Sequence, residues 1–108
     1  MANAHKLPGE LTIYAAGSLR AQFEKWVAKL PKGRRAVALA GTALPVDASG
    51  VNEVDAAGLQ LLLSLSKSLR THKRNLQLID PSTPLRSACA TLGLSGVLMD
   101  ATQPGASS

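Results

Sequence analysis

The sequence predicts a single α/β domain, with helices packed mainly on one face of a mixed central β-sheet. The chain has 108 residues, and a chain of that size buries roughly two-thirds of its unfolded surface in one core. Hydrophobic residues make up 45% and charged residues 18% of it, which argues against intrinsic disorder. Short apolar runs alternate with segments of helical periodicity, an order that is typical of helices on a sheet.

The first predicted elements are a strand and a helix. Residues 7–14 carry a short strand signal, with apolar side chains on either side of Pro8 and Gly9. Ser18 is a plausible N-cap for a helix that runs to about Leu30, since apolar residues then recur at helical spacing.

The middle of the chain is less uniform. Residues 36–40 fit either a strand or a helical turn, and residues 43–48 favour a strand. Pro45 suits an edge or a strand start better than a central ladder, because it has no N–H to donate. Residues 51–55 are predicted as a loop or short turn.

A second helix is predicted over residues 56–71, with Asp55 as its cap. Its outward stripe is Gln60, Ser64 and Lys67. Its predicted inner stripe is Leu59, Leu62, Leu63, Ser66 and Leu69.

The last predicted elements are a strand over residues 75–80, a third helix capped by Ser82 or Thr83, and a short strand over residues 97–99. The domain is then expected over residues 7–100. Residues 1–6 and 101–108 are expected to be flexible termini, since they are short, small or polar.

Composition excludes several classes. The one cysteine, Cys89, permits no disulfide within the chain and no Cys-based zinc site, so no metal and no cofactor is expected. No apolar run approaches the ~20 residues of a membrane-spanning helix, and the first residues do not resemble a signal peptide. A cytoplasmic protein without an integral membrane segment is the expectation.

Catalytic motifs are not found in the sequence. It has no nucleophile elbow, no phosphate-binding glycine loop and no dinucleotide fingerprint, so we expect no catalytic residue and no enzyme activity. Cys89 falls on the apolar stripe of a helix, where a small buried side chain is the simplest interpretation.

Two basic groups follow predicted helix ends. They are Lys29, Lys32, Arg34 and Arg35, and Lys67, Arg70, Lys73 and Arg74. One interpretation is complementation of the helix dipole and solubility. The other is a surface for an acidic partner, an anionic lipid or nucleic acid, of which nucleic acid is disfavoured because aromatic residues are only 3% of the chain.

The most informative segment is residues 46–63, in which a strand passes through a polar turn into Asp55, Ala56, Ala57 and Gly58 and then a leucine-rich helix. Small residues at a helix start let another chain approach, and the helix N-terminus suits an anion. A tight turn packed for its own sake fits the same residues, and composition alone does not choose between them.

At this point the sequence resembles the STAS family, shared by sulfate transporters and bacterial anti-sigma factor antagonists. The opening Leu-Pro-Gly-Glu-Leu over residues 7–11 is similar to the family's Leu-x-Gly-Glu-Leu strand. The main match is Val-Asp-Ala at 46–48 followed by Val-Asp-Ala-Ala-Gly-Leu at 54–59. The strand and helix over residues 75–94, ending in Leu-Gly-Leu, also fit the family.

The resemblance implies a fold and a docking loop, with two departures. Only six residues precede Leu7, so the family's first edge strand is expected to be shortened or missing. In the anti-sigma antagonists a partner kinase phosphorylates a serine that aligns with Ala57, and alanine has no hydroxyl to accept phosphate. No phosphoacceptor is therefore expected at this loop.

The resemblance leaves the partner open. It implies a non-catalytic interaction module in bacterial signalling, a partner-switching or chemotaxis-type adaptor that binds an anti-sigma or histidine-kinase-like ATPase or a receptor. The alternative is the cytoplasmic STAS subunit of a lipid-transport ABC system, which braces the ABC ATPase; neither reading involves nucleic acid. The expected partner-binding residues are Asp55, Ala56, Ala57, Gly58, Gln60, Ser64 and Lys67. Gly58→Arg is expected to abolish binding with the fold intact.

Overall fold

A computed structural model describes residues 5–99 and gives an α/β domain. The strands are β1 (His5–Lys6), β2 (Glu10–Leu11), β3 (Ala43–Asp47), β4 (Glu53–Val54) and β5 (Asn75–Ile79). The helices are α1 (Ala16–Ala28), α2 (Arg34–Ala38), α3 (Ala56–Thr71) and α4 (Thr83–Thr91), with a 3-10 turn at Ile13–Ala15 and a π-helical turn at Ser95–Met99. The predicted fold class is confirmed.

The strands form two parallel ladders. One has the order β1-β3-β5, with His5 opposite Val46 and Val46 opposite Leu78; the other pairs β2 with β4. Each strand pairing within residues 5–99 is parallel. Parallel strands all end at one edge, and the loops that follow them therefore meet there.

Leucine dominates the core, as the scarcity of aromatic residues requires. α1 packs on α3, and α3 packs on β5. The buried side chains of these two helices are Leu19, Phe23 and Trp26 in α1 and Leu59, Leu62, Leu65, Ser66 and Leu69 in α3. Each fully buried leucine contributes about 1.5–3 kcal/mol of transfer free energy.

The start of α1 differs from the prediction. α1 begins at Ala16, with Ala15 at the N-cap position and no side-chain cap, so Ser18 lies inside the helix. The 3-10 turn runs directly into the helix, because Ala15 N–H already bonds to the Thr12 carbonyl at 3.0 Å. A helix that continues an existing turn has less need of a capping side chain.

The N-terminal boundary also differs. His5 and Lys6 form β1 and pair with β3, so they belong to the domain and not to a flexible terminus. The first strand is therefore present, at least over His5–Lys6. The strand expected over residues 7–14 is reduced to β2, because the chain turns at Pro8 and Gly9 and again at Ile13. The expectations for residues 1–4 and 101–108 lie outside the described residues.

The structure decides three further predictions from the sequence. Residues 36–40 are mostly helical, in α2. The strand expected over residues 97–99 is wrong, since Gly93 turns the chain with φ 71° and a π-helical turn follows, placing Leu98 in the core. The loop expected over residues 51–55 contains β4.

Pro45 lies in β3, opposite Gln77 of β5, and β3 as a whole lies between β1 and β5. Within the described residues, β1 pairs only with Val46 and Asp47, so Pro45 lies beyond that ladder.

None of the described helices is long and apolar enough to cross a membrane.

Candidate functional site

Asp55 organises the candidate site at the start of α3. Its Oδ1 accepts the Gly58 N–H at 3.0 Å, the N-cap bond that the sequence predicts. Its Oδ2 accepts the Ile13 N–H at 3.0 Å, and its own N–H bonds to the Leu11 carbonyl at 3.0 Å. One side chain thus caps the helix and also fastens the chain that follows β2 to it.

These hydrogen bonds keep the Asp55 carboxyl ionised. The N–H of Ile13, then that of Gly58, and to a lesser extent that of Ala57, lower the pKa of Asp55 below its ordinary value of 3.8. A carboxylate that accepts backbone N–H groups is favoured over its protonated form. The loop therefore carries a fixed negative charge at neutral pH.

Gly58 faces the protein interior and not a partner. It is buried, and a Cβ at this position would lie 2.8 Å from the Leu11 Cβ and would collide with the Leu11 carbonyl. A glycine is required here because α3 passes directly against the backbone of β2. The expectation that Gly58→Arg leaves the fold intact is therefore wrong. Gly58 packs against Leu11 below the exposed residues of the site.

The other predicted site residues share one exposed surface. Ala56, Gln60, Ser64 and Lys67 are exposed, while Asp55 and Ala57 are half-buried. Residues four or three apart on a helix are neighbours on its surface. We call this surface the docking face; its residues are Asp55, Ala56, Ala57, Gln60, Ser64 and Lys67.

A groove between α1 and α3 borders the docking face. Ser64 lies on its wall, with Phe23 and Val27 of α1 and Leu61 and Leu65 of α3. The groove gives the polar stripe of α3 an apolar neighbour, which is how protein interfaces are commonly composed.

Sequence reasoning missed two residues of the site. Ile13 is 58% exposed and Tyr14 is 89% exposed, and both lie in the 3-10 turn that Asp55 holds. In the sequence these two residues belong to an apolar run that predicts a strand. No local pattern therefore predicts that their side chains are exposed. An exposed tyrosine beside a small-residue turn is a strong candidate for an interface anchor.

The preceding loop is fastened in a similar way. The Asp47 carboxylate accepts both the hydroxyl of Ser49, at 2.7 Å, and its N–H, at 2.9 Å, and these bonds lower the pKa of Asp47. The Gly9 carbonyl accepts the N–H of Asn52 at 2.7 Å. The loops on both sides of β4 are therefore fixed.

Other reactive groups lie elsewhere. Cys89 is buried in α4, and burial raises the pKa of its thiol, so it packs as a small apolar side chain. Across residues 5–99, no three side chains of His, Cys, Asp or Glu cluster closely enough to hold a metal ion.

The parallel strands, the capped α3 and the exposed turn before it define a small α/β domain with its candidate site at the strand ends. A family model described as "Mlab, STAS domain" matches residues 4–100. The chain belongs to the STAS domain family, whose domains are protein-interaction or signalling modules. Comparison with curated proteins gave no match.

Proposed function

We propose that this STAS domain is a non-catalytic interaction module of bacterial signalling, a partner-switching or chemotaxis-type adaptor that docks through the docking face. The observation that carries the proposal is the first turn of α3. It presents Ala56 and Ala57 at the surface while Asp55 holds their backbone in place.

The chemistry of the face suits a protein partner. Alanine methyl groups let another backbone approach closely and lose little solvation on contact. Ile13 and Tyr14 supply apolar area beside them, and large aromatic side chains often carry most of the binding energy. Gln60 and Lys67 add hydrogen bonds and charge at the rim, which favour correct orientation.

Phosphorylation cannot regulate this turn at the family position, because Ala57 has no hydroxyl to accept phosphate. The module therefore stays in one binding state, and regulation comes from the partner or from elsewhere in the chain.

Affinity capture from a bacterial lysate tests the proposal with Gln60→Arg as the disrupting variant. Gln60 is exposed and mid-helix, so arginine preserves helix propensity and adds bulk and charge. Ser87→Arg is the matched control, because Ser87 is exposed on α4. A kinase-like ATPase or receptor retained by wild type and Ser87→Arg but lost with Gln60→Arg supports the proposal; equal retention by all three contradicts it.

A second candidate is the cytoplasmic STAS subunit of a lipid-transport ABC system. The hydroxyl-free turn favours it, because a permanent subunit has no need of a phosphorylation switch. In the same capture, an ABC ATPase lost only with Gln60→Arg supports this candidate over the signalling adaptor.

Restoring the hydroxyl gives a separate test of the signalling role. With a captured partner-switching kinase, Ala57→Ser should incorporate phosphate from ATP, because the serine then stands where the family's phosphoacceptor lies. Ala56→Ser, one position earlier, is the control for indiscriminate labelling. No incorporation by an active kinase that binds the domain would count against the partner-switching role.

A further inference from the structure

A groove where α1 and α3 finish brings residues 30–40 together with residues 71–74. Leu30, Pro31 and Val37 line it from the first segment, and His72 and Lys73 line it from the second. We call the exposed cations within or next to these two segments the basic end; they are Lys29, Lys32, Arg34, Arg35, Arg70 and Lys73.

Hydrogen bonds hold the two walls together. Gly41 N–H donates to the Lys73 carbonyl at 2.7 Å. The guanidinium of Arg74 donates to the carbonyls of Thr42 and Ala43, both at 3.2 Å. The chain after α2 is therefore fastened to the chain after α3, next to the groove.

The basic end is not neutralised by acidic residues nearby in the chain. No aspartate or glutamate occurs between Glu24 and Asp47, or between Asp55 and Asp80. The side chain of Lys32 donates a hydrogen bond to the Ala28 carbonyl at the end of α1, which is not a contact with an acidic group. The surface thus keeps a concentrated positive charge.

One local feature goes beyond solubility. Val37 is 78% exposed on the five-residue helix α2, directly after Arg34, Arg35 and Ala36. Lys73 adopts φ 62° directly after the C-cap of α3, which is an ordinary left-handed helix end. The exposed apolar side chain among cations is the feature that points to a ligand.

We propose that the basic end binds the anionic surface of a lipid membrane, with Val37 entering the headgroup region. Clusters of lysine and arginine with an apolar side chain between them are suited to anionic bilayers. Nucleic acid fits less well because Phe23 and Trp26 are buried and Tyr14 lies at the docking face, so that no phenylalanine, tyrosine or tryptophan of the described residues is exposed at the basic end for base stacking. A peptide carboxylate fits less well because a specific carboxylate site holds its arginines in a fixed geometry, whereas Arg34 and Arg35 are exposed on a five-residue helix.

Vesicle co-sedimentation tests the proposal, with vesicles of equal parts phosphatidylglycerol and phosphatidylcholine against vesicles of phosphatidylcholine alone. Wild type should sediment only with the anionic vesicles and should dissociate as salt rises. Arg34→Glu/Arg35→Glu should weaken binding at least about tenfold, since each cation near such a surface contributes substantially. Val37→Asp should weaken it as well.

Two variants separate a specific surface from net charge and from folding. Arg20→Glu/Arg86→Glu makes the same change in net charge elsewhere and should retain most binding. Lys73→Gly should weaken binding while Tm stays the same or rises, because glycine relieves the left-handed backbone. Failure of wild type to sediment with anionic vesicles overturns the proposal. Equal losses in both double variants, or binding of polyglutamate or single-stranded DNA with no vesicle binding, also overturn it.

Discussion

At the scale of single residues, Asp55 and Gly58 show two ways of fixing the same turn. The two carboxylate oxygens of Asp55 accept one backbone N–H each, from Gly58 and from Ile13. Gly58 has no side chain, and this lets α3 lie against Leu11. The docking face therefore depends on one residue for its hydrogen bonds and on another for its close packing.

Asp55→Asn should break one of the two hydrogen bonds that Asp55 accepts, either the helix cap to Gly58 or the bond to the Ile13 turn. Asparagine has one carbonyl oxygen, so it can accept from Gly58 or from Ile13 but not from both. We expect faster amide hydrogen exchange at one of these two residues, with Tm lower by several degrees. Asp80→Asn is the control, since Asp80 is exposed and asparagine also tolerates its φ of 53°. Unchanged exchange at both amides would contradict this role for Asp55.

Gly58→Ala should destabilise the domain by about 1–3 kcal/mol, because its methyl group meets the Leu11 backbone and forces α3 and β2 apart. Gly17→Ala in α1 is the matched control, since no atom lies within 4 Å of its Cβ position. Alanine there should stabilise the helix by up to about 1 kcal/mol. Urea unfolding measures both, and equal effects of the two substitutions would show that α3 does not approach β2 closely.

At the scale of elements, β1 is attached to the body of the domain through both its backbone and a ring contact. His5 stacks on Trp26 of α1, with ring centroids 4.6 Å apart and planes 21° apart. Burial, and then the positive charge of Lys29, lower the pKa of His5 below its ordinary 6.5. The folded protein thus favours the neutral ring.

Acidification should loosen β1 before the rest of the domain unfolds. Because the pKa of His5 is lowered on folding, its contribution is fully present above 6.5 and is lost as the pH falls through 6.5 towards the folded value. The fluorescence of Trp26, the chain's one tryptophan, should change with an apparent pKa below 6.5. His5→Gln should remove this transition and His72→Gln should keep it; a transition that survives His5→Gln would refute the assignment.

The elements that the sequence predicts best are those with local chemistry at their ends. Helix α3 has the predicted bounds and the predicted cap at Asp55, and α4 is capped by Ser82, one of the two residues expected. Capping depends on side chains within a few positions of the helix start, so the sequence contains the relevant information.

The features that the sequence does not predict depend on distant parts of the chain. Gly58 faces inward because Leu11 lies against it. Tyr14 is exposed in the 3-10 turn that Asp55 holds through the Ile13 N–H. The π-helical turn at Ser95–Met99 replaces the expected strand because Leu98 packs into the core. Local pattern cannot specify these contacts, since they arise only when the elements pack together.

At the scale of the whole molecule, cations outnumber acidic residues, and six of the cations belong to the basic end. The chain has 12 lysines and arginines against seven aspartates and glutamates. Acidic residues end or directly follow three strands: Asp47 ends β3, Asp55 follows β4 and Asp80 follows β5. The basic end lies where α1 and α3 finish, so one end of the domain is suited to each of the two proposed contacts.

Acid should destabilise the domain through the strand-end loops. Hydrogen bonds from Ser49 lower the pKa of Asp47, and those from Ile13 and Gly58 lower the pKa of Asp55, both from an ordinary 3.8. Their contribution is present above 3.8 and is lost as the pH falls through the lower folded values. The double variant Asp47→Asn/Asp55→Asn should show a shallower fall of the free energy of unfolding in this range than wild type. An identical slope would show that other carboxyls are responsible.

The docking face is the central claim, and site-specific photocrosslinking in living bacteria tests it most directly. A photoreactive amino acid placed at Gln60 should form a covalent adduct with a protein partner, because Gln60 lies at the centre of the exposed stripe. The same amino acid at Ser87, exposed on α4, should form no such adduct. Adducts from position 87 with none from position 60 would place the interface on another surface and contradict the account.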